Sequence, residues 1–257
     1  MYQRMSLIDY QQKYIVAIRH ARAAGEQAFQ RWFNREASND VSQAMIRGAW
    51  DFTTHILTPR VCAHFANPEA KIALEIGYGG GRLINTAALY FAEVIGIDIH
   101  AEHETVTAFL QAQGRQNVRL MQTDGASIPV ASQSVDFIYS FIVLQHLPSY
   151  HLFVRYIAEV ARCLRCGGIA QLYFGKFSRL HPVHQILYAW QGYRAVADRP
   201  VNHISLSIRR SRVKQLCRSY GFNILATGSS YYRVPDGYPN TKGGQHYITL
   251  LKTTYIG

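Results

Sequence analysis

The chain holds 257 residues with 27 lysines and arginines against 16 aspartates and glutamates, a formal charge of +11. A hydrophobic fraction of 48% with only 17% charged residues excludes a disordered, solvating chain, and 19 glycines and 8 prolines without a G-x-y period exclude a fibrous one. At this length one large domain, or one domain with appendages, is expected.

In chain order, Leu7, Tyr10, Tyr14, Ile18 and Ala21 recur at three- and four-residue steps and predict a helix over 6–33. A second helix is expected from Val41 to Phe65, with Ser38, Asn39 and Asp40 as cap candidates and Asn67-Pro68 as its stop. From Lys71 the texture changes to strands alternating with helices. Strands are expected at Ile72–Ile76, Glu93–Asp98, Asn117–Gln122, Val135–Phe141 and Ile169–Phe174; helices are expected at Leu83–Phe91, Glu102–Gln113 and Tyr150–Leu164. That rhythm predicts an α/β fold with a doubly wound, mostly parallel sheet, whose right-handed crossovers bring the strand C-termini to one ligand-binding edge. Residues 176–208, rich in His, Tyr, Arg and Pro with a short helix at Val183–Tyr193, read as an insertion over that edge. A helix at Arg209–Tyr220 and strands at Phe222–Thr227 and His246–Lys252 close the chain. The domain reading is an N-terminal helical lid over 1–69 and a main domain over 70–257, with 176–208 as a substrate cap.

No apolar run reaches the roughly 18–20 residues of a membrane helix, since stretches such as Val135 to Leu144 are broken by polar residues. Met1-Tyr2-Gln3-Arg4 does not open a signal peptide, and Cys62, Cys163, Cys166 and Cys217 do not form a disulfide framework, so a reducing cytoplasm is the expected location. The charge is concentrated: the net is +2 over 1–70, −1 over 71–175 and +10 over 176–257. A basic last third fits an anionic partner such as a phosphate, a nucleic acid, an acidic sugar or a membrane surface; a solvated face with surplus arginine is the alternative.

The first strand runs into Gly77-Tyr78-Gly79-Gly80-Gly81-Arg82. Glycines after a strand let the backbone turn sharply and approach a ligand. The dinucleotide fingerprint G-x-G-x-x-G/A fails, because its last position falls on Arg82 or Ile84. Asp98 closes the second strand, where a carboxylate can accept ribose hydroxyls. Asp124-Gly125-Ala126 follows the third strand, Ser134-Val135-Asp136-Phe137-Ile138-Tyr139-Ser140 forms the fourth, ending near Phe141, and Leu164-Arg165-Cys166-Gly167-Gly168 opens the fifth.

This series resembles the class I, Rossmann-like S-adenosylmethionine-dependent methyltransferases over about residues 70–175, and more loosely over the last two strands. The resemblance implies a seven-stranded sheet with an antiparallel last strand, S-adenosyl-L-methionine as cofactor and S-adenosyl-L-homocysteine as product. It places Gly77, Gly79 and Gly81 beside the methionine part, Glu75 as an organiser of the loop, Asp98 at the ribose, and Asp124 with the bare backbone of Gly125 at the adenine. Tyr78, Ile99, Ser140, Phe141 and Gln145 complete the expected cofactor set. Tyr78 stands where many relatives have a small residue or cysteine, which narrows the space expected near the sulfonium.

Methyl transfer to a hydroxyl needs orientation and a base, a role histidine suits at neutral pH. The candidates are His146, just past the fourth strand, and His181 and His184 in the insertion; His55 is the further possibility, with Trp50 and Phe52 read as packing. Asp136 reads as a structural carboxylate. Cys163-x-x-Cys166 reads as packing, because no second pair or His-x-His completes a metal site. No Asn-Pro-Pro-Tyr or Pro-Cys follows the fourth strand, which speaks against amino-group methylation of DNA bases or glutamine and against cytosine C5 chemistry. Arg209, Arg210, Arg212, Lys214 and Arg218 form a dense cationic cluster, with Arg210, Lys214 and Arg218 on one i,i+4 face. The leading functional reading is methylation, at oxygen, of a small or medium-sized or anionic acceptor (a sugar, a lipid-linked saccharide or a secondary metabolite), with no metal. The second is RNA methylation through the basic third with Tyr231, Tyr232 and Tyr238 as stacking candidates. The third is a cofactor-binding module without methyl transfer.

Overall fold

A computed structural model describes residues 7–33, 41–176, 182–197, 199–231 and 242–253. The cap candidates Ser38, Asn39 and Asp40, the candidate base His181, and Tyr232 and Tyr238 lie outside the described residues. Two compact units divide the chain: Met1–Thr53 with Asn67–Pro129, and Thr54–Ala66 with Val130–Gly257.

In the first unit the helix expected over 6–33 is two helices, α1 (Leu7–Ala23) and α2 (Glu26–Phe33). Ala24 N–H and Gly25 N–H close α1 onto the carbonyls of His20 and Arg22, and Gly25 takes φ +106°, a left-handed exit that stops a helix. The helix expected over 41–65 also breaks. α3 (Val41–Asp51) ends the first of these segments; the π-helical turn at Phe52–Ile56 leads the chain into the second unit, where the short α4 (Pro59–Cys62) starts afresh with Pro59 in its first position and the Thr58 hydroxyl accepting the Val61 N–H at 3.3 Å. Proline has no N–H to continue a preceding helix, so Pro59 overrides the apolar periodicity that ran through it.

The sheet of the first unit matches the expectation closely. β1 (Ile72–Ile76), β2 (Glu93–Asp98) and β3 (Val118–Gln122) are parallel, with β2 between the other two; Ile72 pairs with Glu93, and Asp98 with Gln122. α5 (Arg82–Ala87) and α6 (His103–Ala112) supply the crossovers. β1 and β2 are buried along most of their length, the continuous apolar pattern of strands covered on both faces. α5 ends earlier than expected, leaving Leu89 and Tyr90 exposed beyond it.

In the second unit, the fully buried β4 (Val135–Ser140) lies parallel to β5 (Leu164–Gly175), with α7 (Tyr150–Cys163) as the crossover. β5 begins five residues before the expected strand. Its register with β4 slips from Val135↔Leu164 to Phe137↔Ile169, so the Arg165–Gly168 turn is a bulge inside the strand. Beyond it come α8 (Pro182–Gln191), β6 (Tyr193–Ala195), β7 (Leu206–Ile208), α9 (Arg210–Ser219), β8 (Phe222–Tyr231) and β9 (Lys242–Lys252). β9 runs antiparallel to β5 and to β8. The seven expected strands are therefore β1–β5, β8 and β9, the last of them antiparallel. The hairpin β6–β7, which joins the end of β5 through Gly175↔Ser207, is an addition inside the insertion that its polar sequence did not announce.

Candidate active site

β1 stops at Ile76, and the chain turns through Gly77, Gly79 and Gly81 at φ +82°, +54° and +91° before α5 begins. Asp98, at the end of β2, holds this turn: its Oδ2 accepts the Gly79 N–H at 2.9 Å and its Oδ1 accepts the Ile99 N–H at 2.7 Å. The buried His100 fixes the other side of the same residue. Its Nδ1 accepts the Glu102 N–H at 3.1 Å, so the proton resides on Nε2, which donates to the Gly79 carbonyl at 3.1 Å. Gly79 is thus clasped through both its N–H and its C=O.

The N-terminal helices bear on this turn directly. Gln30 Nε2 of α2 donates to the Gly80 carbonyl at 2.9 Å, and a Cβ on Gly79 would stand 2.8 Å from the Phe33 ring. Gly79 therefore serves both a left-handed backbone and the close seat of α2. Phe29, Phe33 and Tyr78 surround the His100 ring at centroid distances of 6.3, 5.6 and 5.0 Å. α3 seats the start of α5: the buried Asp51 pairs with Arg82 at 2.5 Å and with Arg47 at 3.2 Å. Arg82, the residue that breaks the dinucleotide fingerprint, is thereby a structural cation.

Tyr78 turns inward beside Gly96, where an added Cβ would meet its ring at 3.0 Å. Its side chain is 2% exposed, and its hydroxyl has no hydrogen-bond partner among the described residues. Burial, reinforced by the negative charges of Asp98 and Glu102, drives its pKa far above the ordinary phenol value, so it stays a protonated donor. Past β3, Asp124 Oδ1 accepts the N–H groups of Ala126 (2.9 Å) and Ser127 (2.8 Å) and the Ser127 hydroxyl (2.8 Å). Desolvation works to raise its pKa, but these hydrogen bonds outweigh it and hold the carboxyl below its ordinary value. Gly125 and Ala126 are buried beside it. An adenosyl cofactor carries hydroxyls, an amino group and a carboxylate. The partly exposed Asp98, the Asp124 turn, the clasped backbone and the orphaned Tyr78 hydroxyl form a donor and acceptor set that fits it.

Within the second unit, Ser140 is fully buried at the end of β4 and Phe141 is packed between His55 and Tyr173, at 5.1 Å (stacked) and 4.9 Å (edge-on). The His55 carbonyl accepts from Gln171 Nε2 (3.1 Å) and the Tyr173 hydroxyl (2.9 Å), so the 54–66 segment is fastened to β5. The chain leaves β4 through Ile142 at φ +60°, a left-handed conformation that is costly for a β-branched residue and is met chiefly at functional edges. His146 Nδ1 donates to the His203 carbonyl at 2.9 Å, and Gln145 Nε2 lies 3.1 Å from His146 Nε2, the nitrogen left with the lone pair. Burial lowers the His146 pKa, with the His203 hydrogen bond opposing, so the ring is neutral near pH 7. Gln145 Oε1 is buried without a hydrogen-bond partner among the described residues. His184 lies exposed on α8. Asp136 pairs with Arg165 at 2.8 Å, the structural role expected of it, and the buried Cys163 thiol is pushed up to about 12, chiefly by desolvation.

Sequence reasoning missed Gln30, Phe33 and His100. The first two lie some fifty residues before the turn they contact, and His100 has no signal beyond following Asp98. It also missed Gln171 and Thr249, whose 2.6 Å hydrogen bond is buried between β5 and β9.

Residues 74–172 match the family described as methyltransferase domain. Over 181 residues the chain is 30% identical to a malonyl-(acyl-carrier protein) O-methyltransferase of Methylococcus capsulatus, covering 69% of this chain and 60% of that protein. It is 32% identical to a ubiquinone biosynthesis O-methyltransferase of Mesorhizobium japonicum, covering 43% of this chain and 42% of that protein. The chain thus spans less than two thirds of the length of these curated relatives. Among solved structures, a SAM-dependent methyltransferase of Methanosarcina mazei superposes on 77% of this chain and 98% of its own, with a TM-score of 0.57 and 17% identity, which establishes a shared fold. Residues 74–172 thus carry a methyltransferase domain of the class I kind, whose cofactor is S-adenosyl-L-methionine.

Proposed function

We propose that this chain methylates a small or medium-sized acceptor, at oxygen. The observation that carries the reading is the clasp of Gly79 by Asp98 and His100 at the end of β1. It preorganises the glycine turn and leaves the Asp98 carboxylate at its rim, ready to accept from ribose hydroxyls. When bound, S-adenosylmethionine supplies an electrophilic methyl on sulfur. The protein's part is to hold and orient it and to take a proton from the acceptor hydroxyl. The choice of oxygen is supported by the relatives from Methylococcus and Mesorhizobium, both O-methyltransferases by name.

Residues 1–69 are proposed as a lid and 176–208 as a substrate cap; the seating of α2 on Gly79 and Gly80 supports the first. His146 is proposed as the base, its neutral imidazole having Nε2 as the basic nitrogen, and proton abstraction requires the Gln145 amide to move off that atom. A cytoplasmic site of action is supported by the four free thiols, two of them buried.

Calorimetric titration with S-adenosylmethionine tests the cofactor site: Asp98→Ala is expected to weaken binding by about 1–3 kcal/mol, the cost of leaving polar groups unpaired. Unchanged affinity would remove Asp98 from the site. Incubation with S-adenosylmethionine and a cell extract is expected to release S-adenosylhomocysteine. Binding without any product would reduce the chain to a cofactor-binding module.

A further inference from the structure

The helix inside the 176–208 insertion turns an apolar face outward. On α8, Val183, Ile186, Leu187 and Trp190 are 58, 72, 51 and 85% exposed. Their spacing places them on one stripe of the helix, while Tyr188, on another side, is buried. Four of the ten large hydrophobic side chains exposed among the described residues therefore stand within eight positions of a single helix. Exposed apolar residues scattered singly are ordinary; a contiguous stripe ending in tryptophan marks an interaction surface.

Cations stand behind its C-terminal end. The Arg209 guanidinium lies 5.2 Å over the Tyr188 ring and donates from Nη1 to the Ala189 carbonyl at 3.3 Å, and the Arg209 N–H donates to the Gly192 carbonyl at 2.7 Å. A Cβ at Gly192 would stand 3.3 Å from the Arg212 Cβ. Arg209, exposed, thus sits at the C-terminal end of α8 on its Tyr188 side, the guanidinium of the exposed Arg212 lies 5.5 Å over the Tyr150 ring, and α9 goes on to present Arg210, Lys214 and Arg218. Residues 176–257 hold 12 basic groups and 2 acidic ones. An apolar stripe backed by arginines behind one end of its helix matches an anionic lipid surface: the aliphatic side chains enter the acyl boundary, the indole settles at headgroup depth, and the guanidinium groups meet phosphates. A nucleic acid would engage the cations but has no use for exposed valine, isoleucine and leucine.

We propose that α8 lies flat on an anionic bilayer surface, inserting Val183, Ile186, Leu187 and Trp190 with Arg209 and Arg212 on the headgroups. This docking does not depend on methyl transfer, and its test needs none. The full chain is mixed with phosphatidylcholine vesicles with and without phosphatidylglycerol, and the bound fraction is read by co-sedimentation. Binding is expected to favour the anionic vesicles by at least tenfold and to weaken with added salt. The double variant Ile186→Asp/Trp190→Asp is expected to lose about tenfold or more in partition, and Arg212→Gln about fivefold. Independently of those variants' folding, brominated phosphatidylglycerol should quench tryptophan fluorescence in the wild type, and Trp190→Phe should remove that quenching. The proposal is overturned by an absence of binding to phosphatidylglycerol vesicles, by binding that the double variant leaves unchanged, or by a wild-type dimer in sedimentation velocity that the double variant dissociates and vesicles do not compete away.

Discussion

Gly48→Ala sets two physical effects against each other. Glycine inside a helix costs about 0.8–1 kcal/mol relative to alanine, so at an open site in α3 the substitution would stabilise the protein. Gly48 is not at an open site: a Cβ there would lie 2.1 Å from the Arg82 carbonyl oxygen and 2.6 Å from its carbon. Backbone cannot rotate aside as a side chain can, so α3 must retreat from α5 by about 1.3 Å to reach ordinary contact, and a gap of that order forfeits much of the dispersion energy across the interface. The same retreat stretches the Asp51–Arg82 pair, whose carboxylate is 1% exposed. Overpacking costs about 1–3 kcal/mol, and a weakened buried ion pair adds to it. With the helix-propensity gain subtracted, the variant should be about 2–4 kcal/mol less stable, lowering Tm by roughly 5–15 °C for a chain of this size. Circular dichroism melts and urea titration read this directly, and cofactor affinity should fall as well, because α3 seats the residue that follows the glycine turn. A Tm equal to or above wild type would show that helix propensity wins and that the two helices do not approach so closely.

Tyr78→Phe removes a buried hydroxyl that has no partner among the described residues, so without cofactor it should raise stability by about 1 kcal/mol, seen as a Tm rise of roughly 2–4 °C; a fall would show that the hydroxyl is bonded. The same variant should bind S-adenosylmethionine more weakly if that hydroxyl meets the ligand, a comparison calorimetry makes. His246 is pulled down to about 4 by burial and by the positive charges of Arg210 and Lys176. The unfolded chain then takes up a proton that the folded one refuses, so stability should fall as pH drops from about 6.5 toward 4 and stop falling from this source below that. His246→Asn should flatten that part of a urea-midpoint profile against pH, and an unchanged slope would assign the loss to other groups. His146→Ala, if the residue is the base, should cut turnover roughly 100-fold or more while leaving S-adenosylmethionine affinity alone; undiminished turnover would leave His146 as the brace of the His203 carbonyl.

The parallel strands were legible because burial on both faces demands continuous apolar runs, and Ile72–Ile76 and Glu93–Asp98 carry them in the sequence itself. The glycine turn was legible because left-handed backbone admits few residue types, and the acids after it because each closes or follows a strand the apolar runs had already marked. Periodicity misled where one local residue decides the conformation: Gly25 ends α1 and Pro59 restarts the chain, although the apolar repeat runs past both. The β6–β7 hairpin escaped because each strand is three residues long, too short for alternation to register.

Sequence by itself determined the order of elements, the glycine turn, and the carboxylates Asp98 and Asp124, since each follows from what a short stretch of chain can do alone. Only the tertiary structure decided that Gln30 and Phe33 press on Gly79 and Gly80, that His100 holds the Gly79 carbonyl, and that α8 shows its apolar stripe to solvent. Those facts depend on which segments meet in space. A helix carries the same apolar spacing whether its stripe is buried or bare, and only the presence or absence of a neighbour tells the two apart.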